Sequence, residues 1–253
     1  MLVLLGVAGF VGGSLLLAER RWGVEKRSIV RRGFFADLVY GPVNVAMRLV
    51  VNGTVAVAVA SWSRSWLPEG WGGALAGEAL WLQALVLVVV LDFVFYLTHR
   101  LKHRWSWWWR LHETHHSSVD LDFLSSVRFH PLEKALDRCL FLVPITLIGP
   151  SPEAALVWSC IDTFFGLLVH ANLPLRLGWL RYVFVGPEMH RWHHTRDARM
   201  QQRNFGNNFS VFDWLFGTAW TTRAEAKDFG IDEPDYPQEN VWKQFLFAFR
   251  PLR

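Results

Sequence analysis

The chain has 253 residues, of which 52% are hydrophobic, 19% are charged and 15 are tryptophan, and its formal net charge is +4. Soluble domains carry about 25% charged residues, so this balance excludes a strongly solvated or disordered chain and points to a single membrane domain. The positive charge matters by its placement rather than its size; no nucleic-acid partner is expected. Cys139 and Cys160 form no CxxC spacing and read as small buried apolar residues.

A helix crosses a bilayer core with about 20 mostly apolar residues. Residues 2–18 meet that length, and the Glu19-Arg20-Arg21 that follows reads as a stop rather than a cleavage site. Residues 38–62 are a second candidate span, weakened by Arg48 and Asn52. Residues 74–98 are the clearest span. The apolar runs 139–148 and 154–169 flank Gly149-Pro150-Ser151-Pro152, which predicts a helical hairpin (139–169) that dips into the membrane and returns. Its first arm is short and reads as tilted or partly inserted.

Sidedness follows from Lys and Arg in short loops. Arg20, Arg21, Lys26, Arg27, Arg31 and Arg32 lie between the first two spans. Seven more cations, from Arg100 to Arg138, follow Thr98, whereas residues 63–73 hold Arg64 alone and the Pro150 turn holds none. The N-terminus is then outside and both basic segments are cytoplasmic. Trp62, Trp66 and Trp71 should form an outer aromatic belt, and Trp105, Trp107, Trp108 and Trp109 an inner one. A cytosolic cap should comprise residues 99–138 and 170–221. Residues 222–253 form a polar C-terminal tail, of which 222–240 read as a surface loop.

All 10 histidines fall on the cytoplasmic side of this topology. His99 and His103 are spaced i, i+4; His112, His115 and His116 are spaced i, i+3, i+4; His190, His193 and His194 repeat that pattern. Helical residues three and four apart share a face, so each cluster is expected to present its imidazoles in one direction. Eight clustered histidines, with His170, exceed what one ion can bind, so two metals are the economical reading. A redox role favours iron over zinc, whose structural sites are usually rich in thiolate.

Asp162 and Asp92 are costly charges in apolar spans and so candidate functional groups. Asp92, two turns before His99, is expected either to support a ligand or to anchor its helix, or else to pair with an arginine at the interface. Glu133 is expected to pair with Arg128 or Arg138. Metal-bound imidazoles usually donate their second N–H to such groups.

Asp92-Phe-Val-Phe-Tyr-Leu-Thr-His99-Arg-Leu-Lys-His103 resembles the first box of the fatty acid hydroxylase/sterol desaturase superfamily. His112-Glu-Thr-His115-His116 is similar to its second box and His190-Arg-Trp-His193-His194 to its third. Two accessory stretches are also similar: Arg128-Phe-His130-Pro131-Leu-Glu133, and Asn204-Phe-Gly206 running on to Asp213-Trp-Leu-Phe-Gly217-Thr218. The match runs in consistent order from Asp92 to Thr218. The resemblance implies an all-α integral membrane fold of about four transmembrane or hairpin helices under a cytosolic helical cap with a dimetal site. It implies two iron ions (Fe2+), O2 as co-substrate and hydroxylation or desaturation of a lipid, with electrons from a separate NAD(P)H-linked electron-transfer protein. The implied ligands are His99, His103, His112, His115, His116, His170, His190, His193 and His194, with His130 a tenth. Some relatives carry another histidine four residues before the His170 position, where this chain has Gly166.

Two other functions compete. His112-Glu113-Thr114-His115-His116 also satisfies the H-E-x-x-H pattern of zinc metalloproteases, with Glu113 as general base. That reading leaves the other histidine clusters without a role. The second is a metal-binding membrane protein without turnover. A transporter would place its ligands on broken helices at mid-membrane, not at span ends on one side.

Overall fold

The computed structural model describes residues 2–66 and 73–251, without the side chains of residues 60, 63 and 64. Trp71 and the Arg64 side chain therefore lie outside the described part. The elements in order are α1 (Leu2–Trp22), α2 (Phe34–Thr54), α3 (Ala56–Ser65), α4 (Leu80–Arg104), α5 (Ser106–His116), α6 (Pro131–Ile148), α7 (Pro152–His170), α8 (Pro187–His193), α9 (Val211–Leu215) and α10 (Val241–Phe247). Among the described residues the fold is all-helical, with only two isolated β-bridges.

Helices α1, α2, α4 and α7 are long and apolar enough to cross a membrane. The expected second span is divided: α2 ends in Asn52-Gly53-Thr54, poor helix formers, and α3 begins at Ala56. The clearest expected span extends as α4 to Arg104, which puts His99 and His103 on one helix.

The hairpin is α6 and α7. Gly149 ends α6 at φ 61, a left-handed C-terminal residue. The Ser151 hydroxyl caps α7 at Ala154, with Pro152 in the first turn. The turn reaches the far end of α4: Ser151 N donates to Gln83 Oε1 at 2.7 Å and Leu75 N to Ile148 O at 3.2 Å. A Cβ on Gly149 would lie 2.3 Å from Gly73 Cα. The hairpin thus runs the length of α4.

Leu87, Val88 and Leu91 of α4 pack on Ala154 and Trp158 of α7 as the main apolar core. Leu15 of α1 packs on Leu167 and Ala171 at the histidine end, while α2 and α3 lie along α6. The outward sides of α1 and α4 expose large apolar side chains, including Phe10 at 78% and Trp81 at 69%. Such a surface suits lipid rather than water.

The tail departs from a surface loop. Ala226, Phe229, Ile231 and Tyr236 are buried, and Gln244 of α10 accepts from Tyr40 Oη of α2 at 2.7 Å. The inner aromatic belt is also divided. Trp105 and Trp107 are exposed, Trp108 is buried beneath Ala248, and Trp109 covers the rings of His103 and His116 at 4.9 and 5.3 Å.

Candidate metal centre

The C-terminal ends of α4 and α7 meet α5 and α8 at one end of the bundle, and nine histidines converge there. They form two groups: His99, His103, His112, His116 and His193 in the first, and His115, His170, His190 and His194 in the second. Within each group one nitrogen per ring lies within 4.8 Å of all the others. Eight of the nine residues are buried and His103 is half-buried. The groups adjoin, with the rings of His116 and His194 stacked at 4.4 Å.

The H-x-x-H-H clusters do not each point one way. On α5, His112 and His116 enter the first group and His115 the second; on α8 and the residue after it, His190 and His194 enter the second and His193 the first. Consecutive helical residues are about 100° apart, so i and i+4 converge while i+3 falls on the other side of i. Accordingly, the rings of His115 and His116 stand at 89° and those of His193 and His194 at 90°. Each cluster bridges both groups, in opposite senses.

Hydrogen bonding fixes several tautomers. Backbone carbonyls only accept, so His99 Nδ1 donates to Phe205 O at 2.8 Å and His193 Nδ1 to Arg203 O at 2.7 Å. Both Nε2 atoms then carry lone pairs, yet they face each other at 2.9 Å. In the second group, His170 Nδ1 donates to Gly166 O at 2.8 Å and His115 Nδ1 to Arg128 O at 3.2 Å. Their Nε2 lone pairs face each other at 3.1 Å. Two lone pairs cannot hydrogen-bond, and a cation between them resolves the contact. Metal–imidazole bonds of about 2.0–2.1 Å place neighbouring ligand nitrogens roughly 2.9–3.4 Å apart for octahedral or tetrahedral angles. The donor set therefore fits two metal ions. Both nitrogens of His103 are buried without a hydrogen-bond partner, leaving either free to ligate.

Outside the spanning helices, burial pushes His115, His116, His190 and His194 well below the usual histidine range, with neighbouring imidazoles adding to the effect. Burial, then His112, holds His193 down to about 3. Neutral imidazole is the form that binds metal.

The supporting groups are only partly those expected from sequence. Glu133 Oε1 accepts from His112 Nδ1 at 2.8 Å and pairs with Lys102 at 2.9 Å, not with Arg128 or Arg138. Burial on α6 puts Glu133 under the rings of α5, while Arg128 is drawn to Asp37 at 2.5 Å. Asp92 touches no histidine: it accepts from Asn208 N and Phe209 N at 2.9 and 2.8 Å, anchoring α4 to the loop that carries Phe205. Asp162 accepts from Asn207 Nδ2 of the same loop at 2.9 Å. His130 lies outside both groups; its Nδ1 caps α6 at Leu132 N, and its Nε2 donates to Phe245 O at 3.2 Å. Glu113 is also in neither group, and its carboxylate is held by Arg250, with Nη2 at 2.9 Å from Oε2.

Sequence reasoning missed Lys102, Asp137 and the holding role of Asp213. Lys102 Nζ sits 2.8 Å from Asp137 and is wholly buried. Asp213 accepts from Phe205 N, Gly206 N and Thr218 Oγ1 at 2.8, 2.9 and 2.6 Å, shaping the loop whose carbonyl orients His99. Its place in the accessory stretch was the available signal.

Fold and site together define an all-helical membrane protein built around a paired histidine centre. Residues 84–218 match the fatty acid hydroxylase family, and the chain belongs to that family. It is 32% identical to an ornithine lipid hydroxylase of Rhizobium tropici over 86% of this chain and 67% of that one. It is 31% identical to an alkylglycerol monooxygenase of Caenorhabditis elegans over 64% of this chain and 31% of that one. With a methylsterol monooxygenase of Arabidopsis thaliana it shares 29% identity over 54% of this chain and 52% of that one. The chain thus spans about two thirds of the first relative and roughly a third to a half of the other two. No solved structure matches it.

Proposed function

We propose that the chain is a multi-pass membrane enzyme that hydroxylates an aliphatic C–H bond of a lipid, using O2 and two electrons at a paired non-haem iron centre. The overall balance is RH + O2 + 2 electrons + 2 protons giving ROH + H2O. The observation that carries the reading is the pair of facing lone-pair contacts, His99–His193 and His115–His170, one in each group. His99, His103, His112, His116 and His193 would hold one iron ion; His115, His170, His190 and His194 would hold the other. Two irons bound there supply reductive activation of O2 and removal of hydrogen from the substrate.

The chain's own contribution is orientation and exclusion of water. Backbone carbonyls and Glu133 hold five rings by their Nδ1 atoms, so that Nε2 faces inward. The centre sits at the ends of α4 and α7, so a lipid chain would approach it from the bilayer side of the bundle. Hydroxylation is favoured over desaturation because relatives over much of the chain are a hydroxylase and monooxygenases. The electrons would come from a separate NAD(P)H-linked carrier. The centre would face the cytoplasm, since Arg20 and Arg21 end α1 and Lys102 and Arg104 end α4 on the histidine side.

A zinc protease would use Glu113 beside its metal, but Arg250 holds that carboxylate away from both groups. The test is detergent-purified protein supplied with an electron carrier, membrane lipid and 18O2, with lipids read by mass spectrometry. One 18O in a lipid alcohol supports hydroxylation; no oxidised lipid from iron-loaded, reduced protein contradicts it.

A further inference from the structure

A cavity of about 290 Å³ opens between α2, α6 and α7. One wall is Phe129, whose other face stacks on the His115 ring at 4.0 Å and 10°. Three cations line it: Arg48 of α2, and Lys134 and Arg138 one turn apart on α6. A cation within a membrane helix is costly, and such residues face partners or ligands. Here they have neutral partners. Arg138 Nε donates to Asn52 Oδ1 at 2.6 Å, Arg48 Nη2 reaches Ser159 Oγ at 3.5 Å, and Lys134 Nζ lies 4.0 Å from the Phe129 ring centroid.

Of the two lining carboxylates, Asp137 is neutralised elsewhere, while Asp162 is held by a neutral amide and faces Lys134 and Arg48 across the cavity. Asp137 pairs with Lys102 at 2.8 Å, and Asp162 accepts from Asn207 at 2.9 Å. No carboxylate among the described residues lies within 4.0 Å of any of the three cations. Three cations against one lining carboxylate not paired elsewhere leave the cavity a surplus of positive charge and unused guanidinium N–H donors, next to the apolar surfaces of Phe141 and Trp158. Guanidinium forks match carboxylate and phosphate geometry. Arg138 lies seven residues into α6, roughly 10 Å from its start at 1.5 Å per residue.

We propose that this cavity binds the oxyanion head of a lipid, a carboxylate or a phosphate clasped by Arg48 and Arg138, with its first chain carbons turned toward Phe129 and the His115 side of the histidine centre. The proposal rests on the reading of that centre as a lipid-oxidising site, and it restricts attack to carbons near the head. The two guanidiniums act by binding and positioning.

The test is equilibrium binding to the full chain in uncharged detergent, read by quenching of tryptophan fluorescence, Trp158 included, with bromine-labelled acyl probes. The probes are a fatty acid, a phosphatidic acid and a diacylglycerol, with inorganic phosphate as competitor. The proposal expects one or both anionic probes to bind at least tenfold more tightly than the diacylglycerol. Arg48→Gln with Arg138→Gln should remove that preference, and Arg48→Lys with Arg138→Lys should restore part of it while helix content stays unchanged. Equal binding of anionic and neutral probes overturns it, as does an undiminished preference in the Gln variant. Full displacement by millimolar inorganic phosphate also overturns the lipid assignment, because the site would then take a free anion. Preferential anionic binding without lipid oxidation would sink the oxidation reading and leave the head site standing. Oxidation without the preference would do the reverse.

Discussion

Glu133 shows what a single side chain contributes to this centre. Its carboxylate fixes the His112 tautomer and is itself held by Lys102. Outer groups of this kind typically tune metal affinity by about 10–100-fold. Glu133→Gln should therefore lower iron occupancy at limiting metal by roughly that factor, measured by equilibrium metal competition; unchanged affinity would remove its assigned role. Glu113 provides the contrast. Glu113→Gln loses the Arg250 pair but should keep full iron content and lipid oxidation, whereas a protease would lose all activity. The imidazoles were legible in the sequence because residue type and spacing advertise them. Their supports were not, because Glu133 finds His112 across 21 residues and Asp92 finds Asn208 across 116, contacts that only tertiary packing creates. The same packing gives His130, which sequence resemblance offered as a ligand, a capping role.

At the scale of elements, α5 and α8 interlock the two groups. Spacing established that three histidine clusters lie on helices. It did not reveal the exchange of rings between groups, because that depends on how two helices are turned toward each other. His112→Ala or His116→Ala should weaken the first site, and His190→Ala or His194→Ala the second. Spectroscopy of iron-loaded variants should then show different remaining sites for the α5 pair and the α8 pair. Identical spectra would contradict the crossed arrangement. The loop from Asn204 to Phe209 is a second shared part, tied to α4 by Asp92 and to α9 by Asp213. Asp213→Asn leaves buried amides poorly satisfied, and should cost about 1–3 kcal/mol in unfolding free energy. The hairpin was readable from Gly149 and Pro152. The packed tail was not, since its polar composition hides the apolar residues that it buries.

For the whole molecule, burial of so many neutral imidazoles makes stability depend on acidity. His193, held near 3, and its neighbours outside the spans bind protons less readily folded than unfolded. Stability of the metal-free protein is therefore greatest above the unfolded histidine value of about 6.5 and falls as pH drops below it, by up to about 1.4 kcal/mol per unit for each such group. Thermal unfolding of metal-free protein across pH 7.5 to 5.0 should show that loss, and a flat profile would contradict the burial. Metal loading should raise the whole curve, because ions that bind only the folded form stabilise it. The most direct test of the central claim is iron stoichiometry of the intact chain, loaded anaerobically and washed free of loose metal. Two ions per chain, falling on replacement of either His99 with His193 or His115 with His170, is the expected result. One ion or none, or two that survive both replacements, would contradict a paired centre built from these rings.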